Sequence, residues 1–322
     1  MAASKKSALI TGIAGGLARI VAESLAGSGY EVVGVDYRPM ESPPEFLEKC
    51  YQASYNKTRI EDIFRRHRPT HVLHLGRVGN LKERMGKRFD LNVIGSRKVM
   101  DLALKYGARR LVVLSTFHIY GAHPHNHIPI HEDEPLRAGG AFPQIADAIQ
   151  LDNQALAWIY RHREVGAVVL RPSHVIGPDI GNAISTTLRS PLVPVMFGFS
   201  PMVQFVHQRD LRAAIIAAAE GNAVGVYNVT GIGSLPWRDA VRAAGAREIP
   251  IPASLAFAYL RAAGLLFRTF PPYLLNFLKY PCVVSDNAAR TAFGWRPSVG
   301  QEEAIRDAVA AVRGWSGSEV LT

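Results

Sequence analysis

Cysteine is nearly absent from this chain: of 322 residues, only Cys50 and Cys282 carry a thiol. Two thiols so far apart give neither a disulfide framework nor the paired spacing of a zinc site. Their scarcity fits a reducing, cytoplasmic compartment. Long apolar runs are also missing. Residues 190–208 lack Lys, Arg, Asp and Glu but are broken by Pro191, Pro194 and Pro201. Residues 253–278 are interrupted by Arg261, Arg268, Pro271 and Pro272. Neither supplies the roughly 20 continuous apolar residues that cross a bilayer, so no transmembrane segment is expected. The opening residues 1–7 are short and polar, without the apolar stretch of a signal peptide. Internal repeats and low-complexity tracts are lacking as well.

What is present reads as an ordinary globular protein, 48% hydrophobic and 20% charged. The length fits one large domain or two intimately joined ones. The formal net charge of +10 suits nucleic acid, anionic lipid or an anionic small ligand. The Lys and Arg residues are scattered, however, and their densest cluster, Arg65, Arg66 and Arg68, reads as the end of a surface helix. No nucleic-acid motif accompanies the charge, so no nucleic-acid partner is expected.

Strand-like and helix-like segments alternate through the first half. Residues 8–13, 31–36, 71–75, 111–115 and 167–170 read as short buried strands. Residues 17–26, 60–67, 89–106 and 149–162 read as helices between them. Such alternation predicts an α/β fold, a doubly wound parallel sheet of Rossmann type. Segments 205–206 and 226–229 read as late strands returning to that sheet. The expected division is a nucleotide-binding domain over 1–175, with return segments near 203–230. A smaller, discontinuous substrate-side domain is expected over 176–202 and 231–315, and a frayed tail over 316–322.

Between the first strand and first helix stands Thr11-Gly12-Ile13-Ala14-Gly15-Gly16-Leu17-Ala18. Gly12 permits a tight turn, Gly15 lets backbone approach a pyrophosphate, and a small third residue lets helix pack on strand. The helix N-terminus then offers free N–H groups to the phosphates. Asp36 ends the second strand, where a carboxylate accepts hydrogen bonds from ribose hydroxyls and repels a 2′-phosphate. NAD is therefore favoured over NADP. Arg38 argues the other way, since a nearby arginine can accommodate that phosphate.

Further segments join this motif: His74-Leu75-Gly76; Asn92-Val93-Ile94-Gly95-Ser96; Leu114-Ser115-Thr116-Phe117-His118-Ile119-Tyr120-Gly121; Leu170-Arg171-Pro172-Ser173-His174-Val175-Ile176-Gly177-Pro178; Phe205-Val206-His207-Gln208-Arg209-Asp210; and Phe293-Gly294-Trp295-Arg296-Pro297. In this order they resemble an extended short-chain dehydrogenase/reductase of the NAD-dependent epimerase/dehydratase type, over nearly the whole chain. The resemblance implies a nucleotide site formed by Gly12, Ile13, Ala14, Gly15, Gly16, Leu17 and Asp36, with Leu75, Gly76, Arg77, Asn92, Ser115, Arg171 and Pro172.

It also implies a Ser or Thr, a Tyr and a Lys beside the nicotinamide, because hydride transfer at carbon needs a matched proton transfer on oxygen. Ser115 and Thr116 match the hydroxyl position. The Tyr-x-x-x-Lys pair should fall within 142–151, yet neither residue type occurs anywhere from 121 to 159. Three readings stand. One is an oxidoreductase or epimerase-like enzyme with another proton donor: Asp147, Tyr120, or a histidine among His118, His123, His125, His127 and His131. Another is a catalytically silent NAD-binding protein, in which Ile145, Ala146, Ile149 or Leu151 fills the donor's place. The third is a lyase or isomerase in which NAD does little.

The run His123-x-His125-x-His127 lies among prolines and reads as a loop, so no metal site is expected. Arg189, Arg209 and Arg212 are candidates to meet an anionic substrate. Residues 192–202 and 255–278 are rich in Leu, Met and Phe, which suits an apolar carbonyl or hydroxyl substrate or peripheral contact with a membrane. The resemblance implies a homodimer through the long helices, with Ala155, Trp158 and Ile159 compatible.

Overall fold

The computed structural model describes residues 6–79, 83–255 and 274–313. Its centre is a sheet whose inner strands are apolar along nearly their whole length, as strands covered on both faces must be. In chain order they are β1 (Ser7–Thr11), β2 (Glu31–Asp36), β3 (Lys49–Gln52), β4 (His71–His74), β5 (Arg110–Leu114) and β6 (Gly166–Pro172), with a late strand, Gly225–Val229, closing one edge. All seven pair in parallel, in the order β3-β2-β1-β4-β5-β6 and then the late strand. The chain reverses direction between β1 and β4, the point at which open α/β sheets bind ligands.

Helices cover both faces. α1 (Gly16–Gly27) buries Ala18, Val21, Ala22 and Leu25 against one face, beside Leu211, Ala214, Ile215 and Ala218 of the helix Gln208–Glu220. On the other face lie α2 (Thr58–His67), a short α3 (Met85–Phe89), α4 (Ser96–Lys105) and, after one turn of helix α5 (Ala138–Ala141), the long α6 (Ala146–Arg161). This is the α/β, doubly wound fold expected from the alternation.

Several segments differ from expectation. The single helix read over 89–106 is broken by a π-helical stretch, Asp90–Gly95, that separates α3 from α4. An added Cβ at Gly95 would stand 2.8 Å from the Tyr55 Cβ, so the missing side chain is what lets the wide turn close on Tyr55. The segment expected near 205–206 does not return to the main sheet. Phe205–His207 pairs in parallel with His174–Ile176 instead, because the β6 edge is already taken by Gly225–Val229. Two further short ladders join Leu192–Met196 to Arg247–Ile251 and Met202–Val203 to Leu235–Pro236. They enclose a separate apolar cluster that includes Val193, Phe205, Trp237 and Ile305.

Ala155, Trp158 and Ile159 are buried in the core, and the Trp158 Nε1–H donates to Asp101 Oδ1 at 2.8 Å. They face inward and are not available to a second copy. Tyr160 is the large exposed side chain on α6. Most of the apolar segment 255–278 and the tail at 316–322 lie outside the described residues. Among the described residues, no helix is long and apolar enough to cross a membrane.

Candidate nucleotide and reaction site

The loops leaving β1 and β4 meet almost backbone to backbone. Gly12 has φ of +80°. A Cβ there would stand 2.6 Å from the Gly76 Cα, and one on Gly76 would collide with the Tyr55 hydroxyl. Between the loops opens a cavity of about 220 Å³ lined by Gly12, Gly15, Leu17, Asp36, Leu75, Gly76 and Arg77, seven of the residues expected to hold the nucleotide. Tyr37, Arg38, Tyr55, Val78 and Gly79 line it too. Tyr55 carried no sequence signal: it is a lone tyrosine between an edge strand and a helix. Burial pushes its phenol far above the usual range, so it stays neutral.

α1 starts without a side-chain cap at Gly15. The amides of its first turn therefore have no partner within the helix and face outward as anion donors. Ile13 and Ala14 do not line the cavity. Ile13 packs its side chain under Gly34, and the Ala14 amide donates to Asp36 Oδ2 at 3.0 Å. Gly16 instead lets the loop at Asp179 lie directly on α1, since a Cβ there would strike the Asp179 carbonyl.

Asp36 is buried and holds Arg38 in a two-pronged contact, Nε–Oδ1 3.2 Å and Nη2–Oδ2 3.1 Å. The arginine that argued for a 2′-phosphate is thus spent on the carboxylate that argues against one. A cradle that side chains would fill, free helix amides and a buried ribose-side carboxylate together fit NAD.

Asn92, expected to touch the nucleotide, serves the cavity indirectly. Its Oδ1 accepts the Val78 amide at 2.7 Å, and its Nδ2 donates to the Val78 carbonyl at 3.0 Å and to Asp147 at 2.6 Å. It therefore pins the loop that forms one wall. The π-helical stretch turns Asn92 toward that loop, a recurrent use of such bulges.

Arg171 is likewise occupied. It grips Asp152 at 3.1 and 2.5 Å, the Tyr120 hydroxyl at 2.7 Å and the Glu132 carbonyl at 2.8 Å. Its guanidinium fastens β6 to α6 and to the segment before α5. Pro172 is buried as β6 ends, paired with Val229.

The candidate proton donors separate clearly. Asp147 is fully buried, ion-paired to Arg88 and bonded to Asn92, with no exposed face from which to reach a substrate. Tyr120 gives its hydroxyl hydrogen to Asn228 at 2.9 Å, and burial raises it to about 12. His125, His127 and His131 lie exposed on the loop. The His123 ring packs at a tilt against that of His125, 5.2 Å between centres, and His127 meets Glu134 at 3.0 Å. Among the described residues, no three metal-ligating groups gather. Arg189 is tied to the carbonyls of Ala308, Gly177 and Pro178, and Arg209 to Glu303.

What remains stands at the carboxyl end of β5. Ser115 is buried, and its Oγ has no hydrogen-bond partner among the described residues. Thr116 Oγ1 meets His118 Nδ1 at 2.8 Å. The His118 ring lies 5.1 Å from that of His174, which follows β6 and was not singled out by the sequence reading, and 5.1 Å from Phe277. Burial, with lesser repulsion from His174 and Arg77, holds His118 well below its usual range. Burial alone holds His174 at about 3.

A further histidine, the buried His74, joins Thr11 Oγ1 (2.7 Å) to Ser96 Oγ (2.6 Å), and burial lowers it to about 4. Because the unfolded histidines titrate near 6.5, the unfolded chain takes up protons that the folded one refuses. The stability these neutral histidines allow is complete above about pH 6.5 and is lost as pH falls toward 4 and 3. Each costs about 1.4 kcal/mol per pH unit within that window. The urea midpoint is expected to stay level from about pH 7 to 8.5 and to fall steeply between about 6 and 5. A level midpoint down to pH 5 would mean that these rings are charged or exposed in the fold.

Fold and crevice together define a dinucleotide-binding protein of the short-chain dehydrogenase/reductase class, in its extended form. The model of the NAD dependent epimerase/dehydratase family matches residues 8–230, and the chain belongs to that family. An uncharacterised protein of Mycobacterium tuberculosis (strain ATCC 25618 / H37Rv) is 29% identical over 223 residues, 68% of this chain and 58% of the relative. The chain thus spans somewhat over half the length of that relative. A 3-diazoavenalumate denitrifying reductase from a Streptomyces species is 28% identical over 216 residues, 65% of this chain and 67% of the reductase. The UDP-glucose 4-epimerase of Thermus thermophilus, solved with NAD, superposes with a TM-score of 0.75 at 25% identity, covering 96% of this chain and 99% of that one.

Proposed function

We propose that the chain is an NAD-dependent enzyme that transfers hydride to or from a small, largely apolar substrate whose polar group meets the Ser115 hydroxyl. The observation that carries this reading is the buried Ser115 Oγ at the carboxyl edge of the sheet, unpartnered among the described residues. A buried hydroxyl without a partner costs about 1–3 kcal/mol, and a bound substrate would satisfy it. The family's dependence on NAD, the fit of the crevice and the likeness to a reductase support the same reading. For a carbonyl or hydroxyl substrate the proton would pass through His118, the expected donor that meets Thr116 Oγ1, next in sequence to Ser115. Homodimerisation belongs to this proposal as well, through surfaces other than Ala155, Trp158 and Ile159.

A second reading has its own observation. Phe142, Ile145 and Ala148, within the stretch where the Tyr-x-x-x-Lys pair should stand, are buried in one cluster with Phe117 and Phe277. That filling favours a protein that holds NAD and does no chemistry. NAD titration followed by a screen of apolar carbonyl, alcohol and iminium compounds separates the two. With the best substrate, Ser115→Ala is expected to lower kcat about 100-fold while leaving NAD affinity within about twofold. Tight NAD binding with no turnover of any compound would leave the silent reading standing.

A further inference from the structure

Tyr55 lies between β3 and α2 and is fully buried. Its ring is held from several sides. It meets His74 edge-on with 5.5 Å between centres and Tyr37 with 6.5 Å. The π-helical stretch closes on its Cβ through Gly95. These contacts fix where the hydroxyl ends, at the meeting of the β1 and β4 loops. A Cβ on Gly76 would collide with that hydroxyl and stand 2.8 Å from the Gly12 nitrogen.

Among the described residues the Tyr55 hydroxyl has no hydrogen-bond partner. The polar groups around it are already committed. The Gly12 amide donates to the Val35 carbonyl at 2.8 Å, and the Gly76 amide to Thr11 Oγ1 at 3.1 Å. Asp36, whose charge Tyr55 feels, accepts from the Ala14 amide and from Arg38. Buried polar groups are nearly always paired, so an orphan calls for a cause. A ring placed only to pack needs no hydroxyl, and here position 76 must lack a side chain to make room for one. Burial keeps the phenol protonated, so it has a hydrogen to give.

We propose that the Tyr55 hydroxyl donates a hydrogen bond to the diphosphate of the bound dinucleotide. Tyr55 lines the crevice together with Gly12, Gly15 and Gly76. Gly15 is where α1 begins its uncapped first turn, whose amides gather an anion. An O–H that donates to a phosphate oxygen makes a charge-assisted bond, roughly twice as strong as one between neutral groups. The inference rests on the nucleotide reading of the crevice and is independent of whether hydride is transferred.

The test is Tyr55→Phe in the full chain, which removes one oxygen and leaves the ring. Titration calorimetry is expected to show NAD and ADP each bound at least about fivefold more weakly, and adenosine within about twofold of the parent. Without ligand, the melting temperature should stay within about 2 °C of the parent or rise, because no protein hydrogen bond is lost. Tyr51→Phe is the matched control. Its hydroxyl meets His67 Nε2 at 2.9 Å and lies outside the crevice lining, so NAD affinity should hold within about twofold. A smaller loss of NAD affinity in Tyr55→Phe would overturn the proposal. So would an equal loss for adenosine and ADP, which would move the contact to the sugar or base. A larger fall in the melting temperature of the unliganded variant would also overturn it, by marking the hydroxyl as part of the fold. Failure of the parent to bind NAD would sink the nucleotide reading itself, and that result is visible before any variant is made.

Discussion

Gly12→Ala is expected to weaken NAD binding by at least about 100-fold, a loss of about 2.7 kcal/mol, measured by titration calorimetry. Two costs combine. At φ +80° an L side chain is strained, by roughly 1–2 kcal/mol. The added methyl would then stand 2.6 Å from the Gly76 Cα and 2.8 Å from its nitrogen. Both are backbone atoms, so no rotamer change relieves the contact, and the β1 and β4 loops must part. The crevice lies between those loops, so the relief comes at the nucleotide's expense. Gly27→Ala is the matched control. Its Cβ meets nothing within 4 Å and it needs no positive φ, and affinity should stay within about twofold. Affinity of Gly12→Ala within about fivefold of the parent would show that the loops do not form the diphosphate cradle.

That crevice was legible in the sequence because its parts are local. A glycine turn between strand and helix, and an aspartate at the end of the next strand, are fixed by spacing along the chain. The second strand emerges with the bounds read for it, Glu31–Asp36. Contacts between distant residues were not legible. Asp147 appears in sequence as a carboxylate at the right distance before β6, and only the fold brings in Arg88, 59 residues away. Arg171 looks like a ligand contact until Asp152 and Tyr120 close on it. Helical periodicity ran unbroken through 89–106, since one extra residue per turn over so short a stretch scarcely disturbs the apolar pattern. Strand β3 was missed for a different reason: it lies at a sheet edge, half exposed, and lacks the apolar run that marks the central strands. His174 was passed over inside a motif read only for its arginine and proline.

The corrected place of Asp147 changes what its removal means. Among the described residues, Asp147→Ala leaves the buried Arg88 guanidinium with the Gln144 carbonyl at 2.7 Å as its remaining partner, and its Nε already lacks one. Breaking a buried pair from one side costs about 3–5 kcal/mol, a large share of the roughly 5–15 kcal/mol that holds a domain folded. The variant should melt well below the parent. It should also bind NAD more weakly, because Asn92 loses the carboxylate that orients it and with it the hold on Val78. Loss of turnover alone would therefore not mark Asp147 as an acid. The double variant Arg88→Met with Asp147→Leu distinguishes the roles. Replacing both charges by apolar groups of similar size removes the stranded cation, so most of the melting temperature should return. Activity should return with it to the extent that Val78 is held. If Asp147 donated protons, the single variant would keep its melting temperature, and the double variant would stay inactive while fully folded. Thermal melts and pH profiles of the parent, single and double variants decide between a carboxylate that reacts and one that braces the wall of the nucleotide site.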